Sequence, residues 1–469
     1  MGKFKKKLVR VISVLSAACL TFGFAIGSLE DAKERVKAEE SFISKTNGKI
    51  KTNQENFYDD SVVYKLPDTV SNNDEISVIV EMNVESVMDR YNASSAKMTV
   101  SEFANGSTGK AIAAKVKRER KAMLRQLDNL GIDYQLGEQY DTIFGGFEIT
   151  VKAKDFKKIN DLYAGQATLM VGEVYEPAQT VVIDNDVEVY DTGIFDSSKS
   201  IYQGDGVVVA VLDTGLDYTH TAFSAQNFTT SDERFTLKSV SDKVSQTVAS
   251  DFSAGLTGQD VYVSEKVPFA YDYADKDPDV LPINSDHGTH VAGIIAGKDD
   301  TITGVAPNAQ LAIMKVFSDA QDGAKDSWIL AALEDCVVLE VDVINMSLGS
   351  GCGFTREVDE ENVNKIYDKI REAGISLITA AGNDYNATHG SEANGSNPLT
   401  TNPDSGVVGT PSTYAGSLSV ASVDGVKTPY LKYGQDIIYF TEASTSDAKP
   451  KHFVDDVLKT VGEGVQSHD

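Results

Sequence analysis

Val207-Val-Val-Ala-Val-Leu-Asp-Thr-Gly215 predicts a buried strand, because an unbroken apolar run of strand length ends there on a carboxylate and a strand-breaking glycine. Four similar apolar runs follow along the chain, at residues 310–317, 341–346, 375–380 and 417–423. Helical patterns separate them, at residues 290–296, 327–339 and 359–373. Apolar strands that alternate with helices are typical of a parallel sheet covered on both faces. We therefore predict an α/β fold with a doubly wound parallel sheet that begins near residue 205.

Two segments do not fit this alternation. Residues 225–280 lack clear periodicity, and we interpret them as a long surface insertion. Residues 426–469 have a strand-like stretch at 436–440 and a helix-like stretch at 454–461, and we interpret them as the start of another domain. The domain with the parallel sheet is therefore expected to span residues 177–425.

A smaller α+β domain is predicted before the parallel sheet, over residues 75–176. Its elements follow the order strand, helix, strand, strand, helix, strand, at residues 75–82, 111–130, 134–140, 145–151, 153–162 and 167–174. This order is that of the split βαβ, ferredoxin-like arrangement. Residues 39–74 are polar and predict a linker in front of it.

The N-terminus has the pattern of an export signal over residues 1–38. A basic head that ends at Arg10 merges into an apolar run over residues 8–27, and Val36-Lys37-Ala38 offers small residues for a peptidase. An uncleaved membrane anchor is the alternative, although the run is broken by small and polar residues. No second apolar span of about 20 residues follows, so we expect a secreted protein rather than an integral one.

Charge and cysteine content exclude several classes of protein. The formal net charge is −27; residues 1–176 contain 25 basic and 25 acidic residues, whereas residues 177–469 contain 18 and 45. So acidic a body repels phosphate backbones, and we expect no nucleic-acid partner. Only three cysteines occur, Cys19 in the apolar run and Cys336 and Cys352 in the body, and whether the last two pair is open. No sequence typical of a catalytic metal site is present.

Three polar residues are expected to meet at one edge of the sheet, since ligands bind beyond the carboxyl ends of its strands. Asp213 ends the first strand, and Asn383 follows the strand at residues 375–380. His287 begins a helix whose small residues let it press against the sheet, close to Asp213. The alternative for Asp213 is a turn aspartate. We expect the neighbouring His290 to be a packing residue.

Four motifs occur in one order: Asp213-Thr-Gly215, His287-Gly-Thr-His-Val-Ala-Gly293, Ser347-Leu-Gly349 and Ala380-Ala-Gly-Asn383. With them, residues 200–423 resemble the subtilisin family of serine proteases, and residues 75–176 resemble its inhibitory propeptide. The resemblance implies that Asp213 orients the imidazole, that His287 is general base and then general acid, and that Asn383 donates to the oxyanion. It implies no cofactor for catalysis, protein or peptide substrates, and the propeptide as a partner in cis.

The resemblance also implies a substrate-binding groove. Ser347, Leu348 and Gly349 would pair with the substrate backbone as an added strand. The propeptide tail, residues 169–176, is expected beside them, with its cleavage junction near residues 175–180.

Walls for the specificity pocket follow from the same resemblance. Ala381 and Gly382 would line it, and Asp384 would lie on its rim and favour a basic or polar residue before the cut. A solvent-facing loop is the alternative for Asp384. Many relatives carry structural calcium, but an acidic loop in this chain suits either calcium or plain solvation, with carboxylates at Asp272, Asp275, Asp277 and Asp279.

One part of the family pattern is missing. The family's nucleophile lies in a Gly-Thr-Ser-x-Ala turn that opens a late helix, and residues 1–469 contain no such sequence. Ser412 follows Gly409-Thr-Pro411, where proline replaces the serine and a strand is predicted next, so we reject it as the nucleophile. Large cell-envelope members insert a protease-associated domain between asparagine and serine, and residues 426–469 resemble its beginning.

We therefore expect a secreted serine endopeptidase with an Asp-His-Ser triad, of which residues 1–469 are a fragment that is inactive without its serine. The alternative is a non-catalytic, peptide-binding pseudoprotease. Attachment to the cell wall is left open.

Overall fold

The computed structural model describes residues 70–94, 97–177, 202–230, 232–352, 365–382, 408–421, 430–433, 436–439 and 466–467. The chain divides between Asp74 and Glu75 into two compact units. Of the first unit only residues 70–74 are described, a turn in which Ser71 donates from its backbone and side chain to Asp74. The predicted export signal and nearly all of the predicted linker lie outside the described residues.

The second unit opens with an α+β domain. Its elements are β1 (Glu75–Met82), α1 (Val87–Ala93), α2 (Val100–Asn105), α3 (Ser107–Asn129), β2 (Tyr134–Tyr140), β3 (Gly146–Lys152), α4 (Ala153–Tyr163) and β4 (Ala167–Val171). The strands form an antiparallel sheet in the order β2-β3-β1-β4, as the predicted ferredoxin-like arrangement requires. Helix α3 buries an apolar stripe that includes Ile112, Val116 and Leu127.

This domain differs from the prediction in two places. Helices α1 and α2 were not predicted, because seven and six residues are too few for a helical period. Their N-terminal signals are nevertheless present as capping boxes, Ser86 with Asp89 and Thr99 with Glu102. The predicted last strand ends at Val171, and a separate strand, β5 (Val174–Pro177), follows it.

A parallel sheet lies at the centre of the rest of the chain. Its first part contains β6 (Val208–Asp213), the short helices α5 (Leu237–Lys243), α6 (Val248–Phe252) and α7 (Gly258–Val261), then β7 (Phe269–Asp272), α8 (His287–Ala296) and β8 (Gln310–Lys315). Then come β9 (Ala324–Lys325), α9 (Asp326–Leu339), β10 (Val343–Met346), β11 (Leu348–Cys352), α10 (Lys365–Glu372), β12 (Ser376–Ala380), β13 (Gly409–Thr410) and β14 (Leu418–Val420).

The sheet has the order β14-β12-β10-β6-β8-β7, with every neighbouring pair parallel. The five predicted strands are all in it. The interpretation of residues 225–280 as a surface insertion is wrong, since β7 lies there, fully buried, as the edge strand. A four-residue strand among helices of four to seven residues leaves no periodicity to detect.

Two smaller sheets complete the part of the fold that the structure describes. Strands β13, β11, β5 and β9 pair in that order, so β5 is an inner strand between two strands of the larger domain. A hairpin of β15 (Tyr430–Tyr433) and β16 (Asp436–Tyr439) pairs with β17 (Gln466–Ser467), and β16 confirms the predicted strand near residue 436. The predicted helix at residues 454–461 lies outside the described residues. None of the helices in the described ranges is long and apolar enough to cross a membrane.

Polar contacts join the α+β domain to the larger domain. The carboxylate of Glu334, on α9, accepts backbone N–H groups of Asp141, Thr142 and Ile143, at 2.8 Å for the first and the last. The ammonium of Lys369, on α10, lies 2.8 Å from Asp89. Three donors on one buried carboxylate make Glu334 the main polar anchor of this contact.

We expect Glu334→Ala to loosen this contact, because three backbone N–H groups lose their acceptor. The free energy of unfolding of the variant should be about 3 kcal/mol lower, and the amides of residues 141–143 should exchange faster with solvent. Chemical denaturation and hydrogen exchange measure both effects. Glu119→Ala, at an exposed site on α3, is the matched control. Equal losses for the two variants would show that the anchor is not Glu334.

Candidate active site

Three parallel strands end in register at one edge of the central sheet. Met346 of β10 lies opposite Leu212 of β6 and Thr379 of β12. The next residues along these strands are Asp213, Ser347 and Ala380, so all three lie at the carboxyl edge. Neighbouring strands are about 4.8 Å apart, which brings the first, third and fourth motifs of the sequence together.

The structure pairs Asp213 with His287. The Nδ1 atom of His287, the first residue of α8, lies 2.7 Å from Oδ1 of Asp213. Both side chains are buried, with 8% of His287 and 1% of Asp213 exposed. A buried carboxylate at Nδ1 holds the proton there and leaves Nε2 as the basic nitrogen. The prediction that the helix brings this histidine to the strand-end carboxylate is confirmed.

Close packing of backbones makes this pairing possible. A Cβ atom at Gly288 would lie 2.3 Å from the carbonyl oxygen of Gly215, so only glycine permits this approach of α8 to β6. Gly215 itself has a φ of +111°, where other residues are strained. The predicted slender helix is therefore present for the predicted reason.

Thr214 fixes the start of α8, a role that the sequence did not reveal. Its hydroxyl donates to the carbonyl of Ser285 (3.0 Å) and accepts the backbone N–H of Gly288 (2.9 Å). Its own backbone N–H donates to Oδ1 of Asp213 (2.7 Å). One residue thus links the carboxylate to the helix that carries the imidazole. The sequence signal for this role was the position of Thr214 between Asp213 and Gly215, which had been interpreted only as the end of the strand.

The assignment of His290 to packing is wrong, because this side chain is exposed. The buried face of α8 includes His287, Val291 and Ala292. His287 lies at the margin of that face, so a residue three positions later rotates beyond it to the solvent side.

The segment expected to bind substrate is strand β11 with the residue before it. Leu348 and Gly349 pair in antiparallel fashion with Pro177 and Glu176 of β5. Leu348 is fully buried, and the amide of Asn345 donates to the hydroxyl of Ser347 (3.0 Å). An extended segment of the chain thus lies where the sequence predicted the propeptide tail.

The predicted pocket walls lie next to this strand. The backbone of Ala381 donates to Val420 and accepts from Gly409, both at 2.8 Å, and Gly382 has a φ of +101°. The predicted oxyanion donor Asn383 and the predicted rim residue Asp384 are outside the described residues. Ser412 is buried, hydrogen bonded to Ser419 and followed by strand β14, which agrees with its rejection as the nucleophile.

The acidic loop near the site already contains a positive charge. Carboxylate oxygens of Asp272, Asp275 and Asp319 lie within 4.8 Å of one another. The ammonium of Lys315 lies 2.6 Å from Asp272 and 2.9 Å from Asp319. Burial raises the pKa of Asp272 to about 6, and the hydrogen bond from Lys315 opposes this rise. The group does not fit a calcium site, because an ammonium already lies among its carboxylates.

The other two loop aspartates bond within their own loop. Asp277 accepts the backbone N–H of Asp279 (2.8 Å), and Asp279 accepts that of Leu281 (3.0 Å). These contacts and the exposure of residues 275–279 favour the interpretation of that part as a solvated acidic loop, whereas Asp272 is buried.

A parallel sheet covered by helices, with a buried Asp–His pair at its carboxyl edge, gives this protein an α/β fold of the subtilisin kind. Residues 204–452 match the sequence profile of the Subtilase family, and the chain belongs to this family. Family membership and the observed sheet confirm the predicted α/β fold.

Two curated relatives show how much of a longer protein this match covers. The PI-type proteinase of Lactococcus lactis subsp. cremoris is 31% identical over 362 residues, 74% of this chain and 17% of that protein. The C5a peptidase of Streptococcus pyogenes is 34% identical over 229 residues, 47% of this chain and 18% of that protein. The chain thus spans less than a fifth of the length of these relatives.

Among solved structures, fervidolysin from Fervidobacterium pennivorans, a keratinolytic enzyme related to subtilisin, is similar with a TM-score of 0.43 at 17% identity. The similarity covers 80% of this chain and 46% of that one.

We expect the hydrogen bond between Asp213 and His287 to give a solvent-protected Nδ1–H proton with a strongly downfield NMR signal. Asp213→Ala should abolish the signal, because no acceptor remains at Nδ1. His290→Ala is the control: it should keep the signal and change the free energy of unfolding by under about 0.5 kcal/mol. A signal that survives Asp213→Ala would contradict the pairing.

Proposed function

We propose that this protein is a secreted, subtilisin-like serine endopeptidase that hydrolyses peptide bonds in proteins. The observation that carries the proposal is the buried contact of 2.7 Å between Asp213 and His287 at the carboxyl edge of the sheet. Family membership supports it. The matched relatives are named as proteinase and peptidase, which agrees with this reaction.

In the proposed mechanism, Nε2 of His287 takes the proton of a serine hydroxyl as that oxygen attacks the substrate carbonyl. The same nitrogen then gives the proton to the leaving amine. Asp213 keeps the imidazole in the required tautomer and stabilises its charged form. Asn383 donates to the tetrahedral oxyanion, an interaction worth about 3–4 kcal/mol where it was measured in subtilisin. None of these steps uses a cofactor.

The nucleophile of this proposal is a serine outside residues 1–469, because no Gly-Thr-Ser-x-Ala sequence occurs within them. Loss of the serine costs about 10⁶ in turnover in subtilisin, so residues 1–469 alone should be effectively inactive. The small share of the relatives' length that is matched is consistent with a longer protein. The proposed reaction implies protein or peptide substrates. The excess of acidic groups after residue 176 repels phosphate backbones, so nucleic acid is not a proposed partner.

Residues 75–176 are proposed to be an inhibitory propeptide. Three contacts support this role: β5 pairs with the substrate-binding strand β11, it also pairs with β9, and Glu334 anchors the turn before β3. An extended segment held on both edges is bound as a substrate backbone would be.

A non-catalytic peptide-binding protein is the second candidate function. The observation in its favour is that pairing with β9 and β11 already holds β5 in the groove.

We expect the protein expressed from the whole gene to react with a fluorophosphonate and to cleave peptides. His287→Ala should abolish both, and Asp213→Asn should lower kcat about 10⁴-fold, because the imidazole then takes the wrong tautomer. Peptide hydrolysis and covalent labelling measure these effects. His290→Ala, on the exposed face of the same helix, is the control and should retain activity. Full activity in the His287 variant would contradict the proposal.

We expect processing to depend on the same serine. Residues 39–469 should remain one polypeptide, since Asp213 and His287 have no hydroxyl to activate. The protein that includes the serine should be cut near residue 176 into two fragments that stay associated. Mass spectrometry of both proteins checks this. Spontaneous cleavage near residue 176 in the shorter protein would reveal a nucleophile within residues 39–469.

A further inference from the structure

Strand β5 inserts one side chain into the larger domain. Val174 and Glu176 are exposed, whereas Tyr175 between them is fully buried. β5 pairs with β9 through Val174 and Tyr175 and with β11 through Glu176 and Pro177. Neighbouring side chains of a strand point to opposite faces, so Tyr175 and the half-buried Pro177 face the protein beneath the strand, and Tyr175 is the fully buried one of the two.

The buried end of Tyr175 meets a carboxylate. Its hydroxyl donates to Oδ1 of Asp326, the first residue of α9, at 2.8 Å. Burial raises the pKa of the Tyr175 phenol well above its usual value, with smaller contributions from Asp326 and from the phenols of Tyr414 and Tyr367. The phenol therefore donates its proton and does not ionise. Tyr367 and Tyr414 pack edge to face, with ring centroids 4.9 Å apart.

Asp326 also binds the peptide backbone. Its second oxygen, Oδ2, accepts the backbone N–H of Glu173 (2.7 Å), and its own backbone N–H donates to the Glu173 carbonyl (3.1 Å). One residue thus contacts the main chain at Glu173 and the side chain at Tyr175. Gly323 leaves room for the strand: a Cβ atom there would lie 2.3 Å from a methyl group of Val174.

A carboxylate in this position discriminates between aromatic side chains. Asp326 is only 4% exposed. If the bound side chain has no hydroxyl, bulk water therefore does not take its place at the carboxylate. A site that hydrogen bonds to a substrate hydroxyl strongly disfavours an analogue without that hydroxyl. An apolar pocket discriminates much less against an analogue that lacks one methylene group. Phenylalanine would fill the volume of the Tyr175 ring but would leave Oδ1 without its donor.

We propose that the pocket closed by Asp326 is a tyrosine-selective subsite for extended peptides. Asp326 serves it as hydroxyl acceptor and as backbone anchor, and Tyr175 is its occupant in cis. The inference rests on the proposed function, since it assigns a substrate class to the same groove. That class is peptides with a tyrosine two residues after the residue whose backbone Asp326 binds.

Binding in trans tests the inference without catalysis. In the 469-residue chain with Tyr175→Ala, a labelled peptide of the sequence Glu-Val-Tyr-Glu-Pro should bind at least about 10-fold more tightly than Glu-Val-Phe-Glu-Pro. Adding Asp326→Asn should reduce this preference, because an amide oxygen is a weaker acceptor for a phenol than a carboxylate. Equal dissociation constants for the two peptides, or no binding of either, would overturn the inference.

A second measurement needs no vacated pocket. In the intact chain, Tyr175→Phe should speed amide exchange at residues 173–176 about 10-fold, and its effect should be smaller once Asp326→Asn is present. Strictly additive effects would show that Tyr175 is only a packing residue.

Cleavage by the whole-gene protein separates this inference from the proposed function. The kcat/KM for the tyrosine peptide should exceed that for the phenylalanine peptide about 10-fold. Selective binding with no cleavage would refute only the proposed function, and cleavage without preference would refute only the subsite.

Discussion

The common register of β6, β10 and β12 is the constraint on which the rest of the site depends. Because Met346 lies opposite both Leu212 and Thr379, Asp213, Ser347 and Ala380 reach the carboxyl edge at one level. A slip of one residue in β6 would turn Asp213 to the other face of the sheet. It would also separate the carboxylate from α8, which approaches only because residue 288 is a glycine.

Helix α9 connects this edge to the α+β domain. All 14 of its residues are buried, and three of them are carboxylic acids that accept backbone N–H groups from different segments. Asp326 binds Glu173, Glu334 binds residues 141–143, and Asp335 binds Val248 and Ala249. Burial raises the pKa of each carboxyl to about 7, while the N–H donors act in the opposite direction. Two of the three hold the α+β domain, so α9 is both core helix and docking surface.

Strong periodicity and motif order made most of the fold and the Asp213–His287 pair predictable. The parallel strands are mostly apolar, and the small residues of α8 indicated its close approach to β6. Strand β7 and helices α1 and α2 were missed because each is too short for a period. His290 was assigned wrongly because spacing alone does not give the rotation of a helix about its axis.

Asp326 escaped notice for a different reason. In sequence it is an ordinary acidic residue at a helix start, and only the path of β5 shows what its carboxylate binds. The role of Asn383 as oxyanion donor and the position of Asp384 on the pocket rim stay predictions.

The chain holds its own extended segment between β9 and β11, and Ser347, the residue before β11, lies at the same edge of the sheet as Asp213. A disulfide trap measures this placement in residues 39–469 with Cys352 replaced by serine. Val174 and Lys325, each replaced by cysteine, are directly paired across β5 and β9. Opposite residues of an antiparallel pair have Cα atoms about 4.5–5.5 Å apart, a separation that a disulfide accepts. Glu176→Cys with Lys325→Cys is two residues out of register and is the control. We expect rapid, near-complete disulfide formation in the first pair and little in the second; equal yields would mean that β5 is not held in this register.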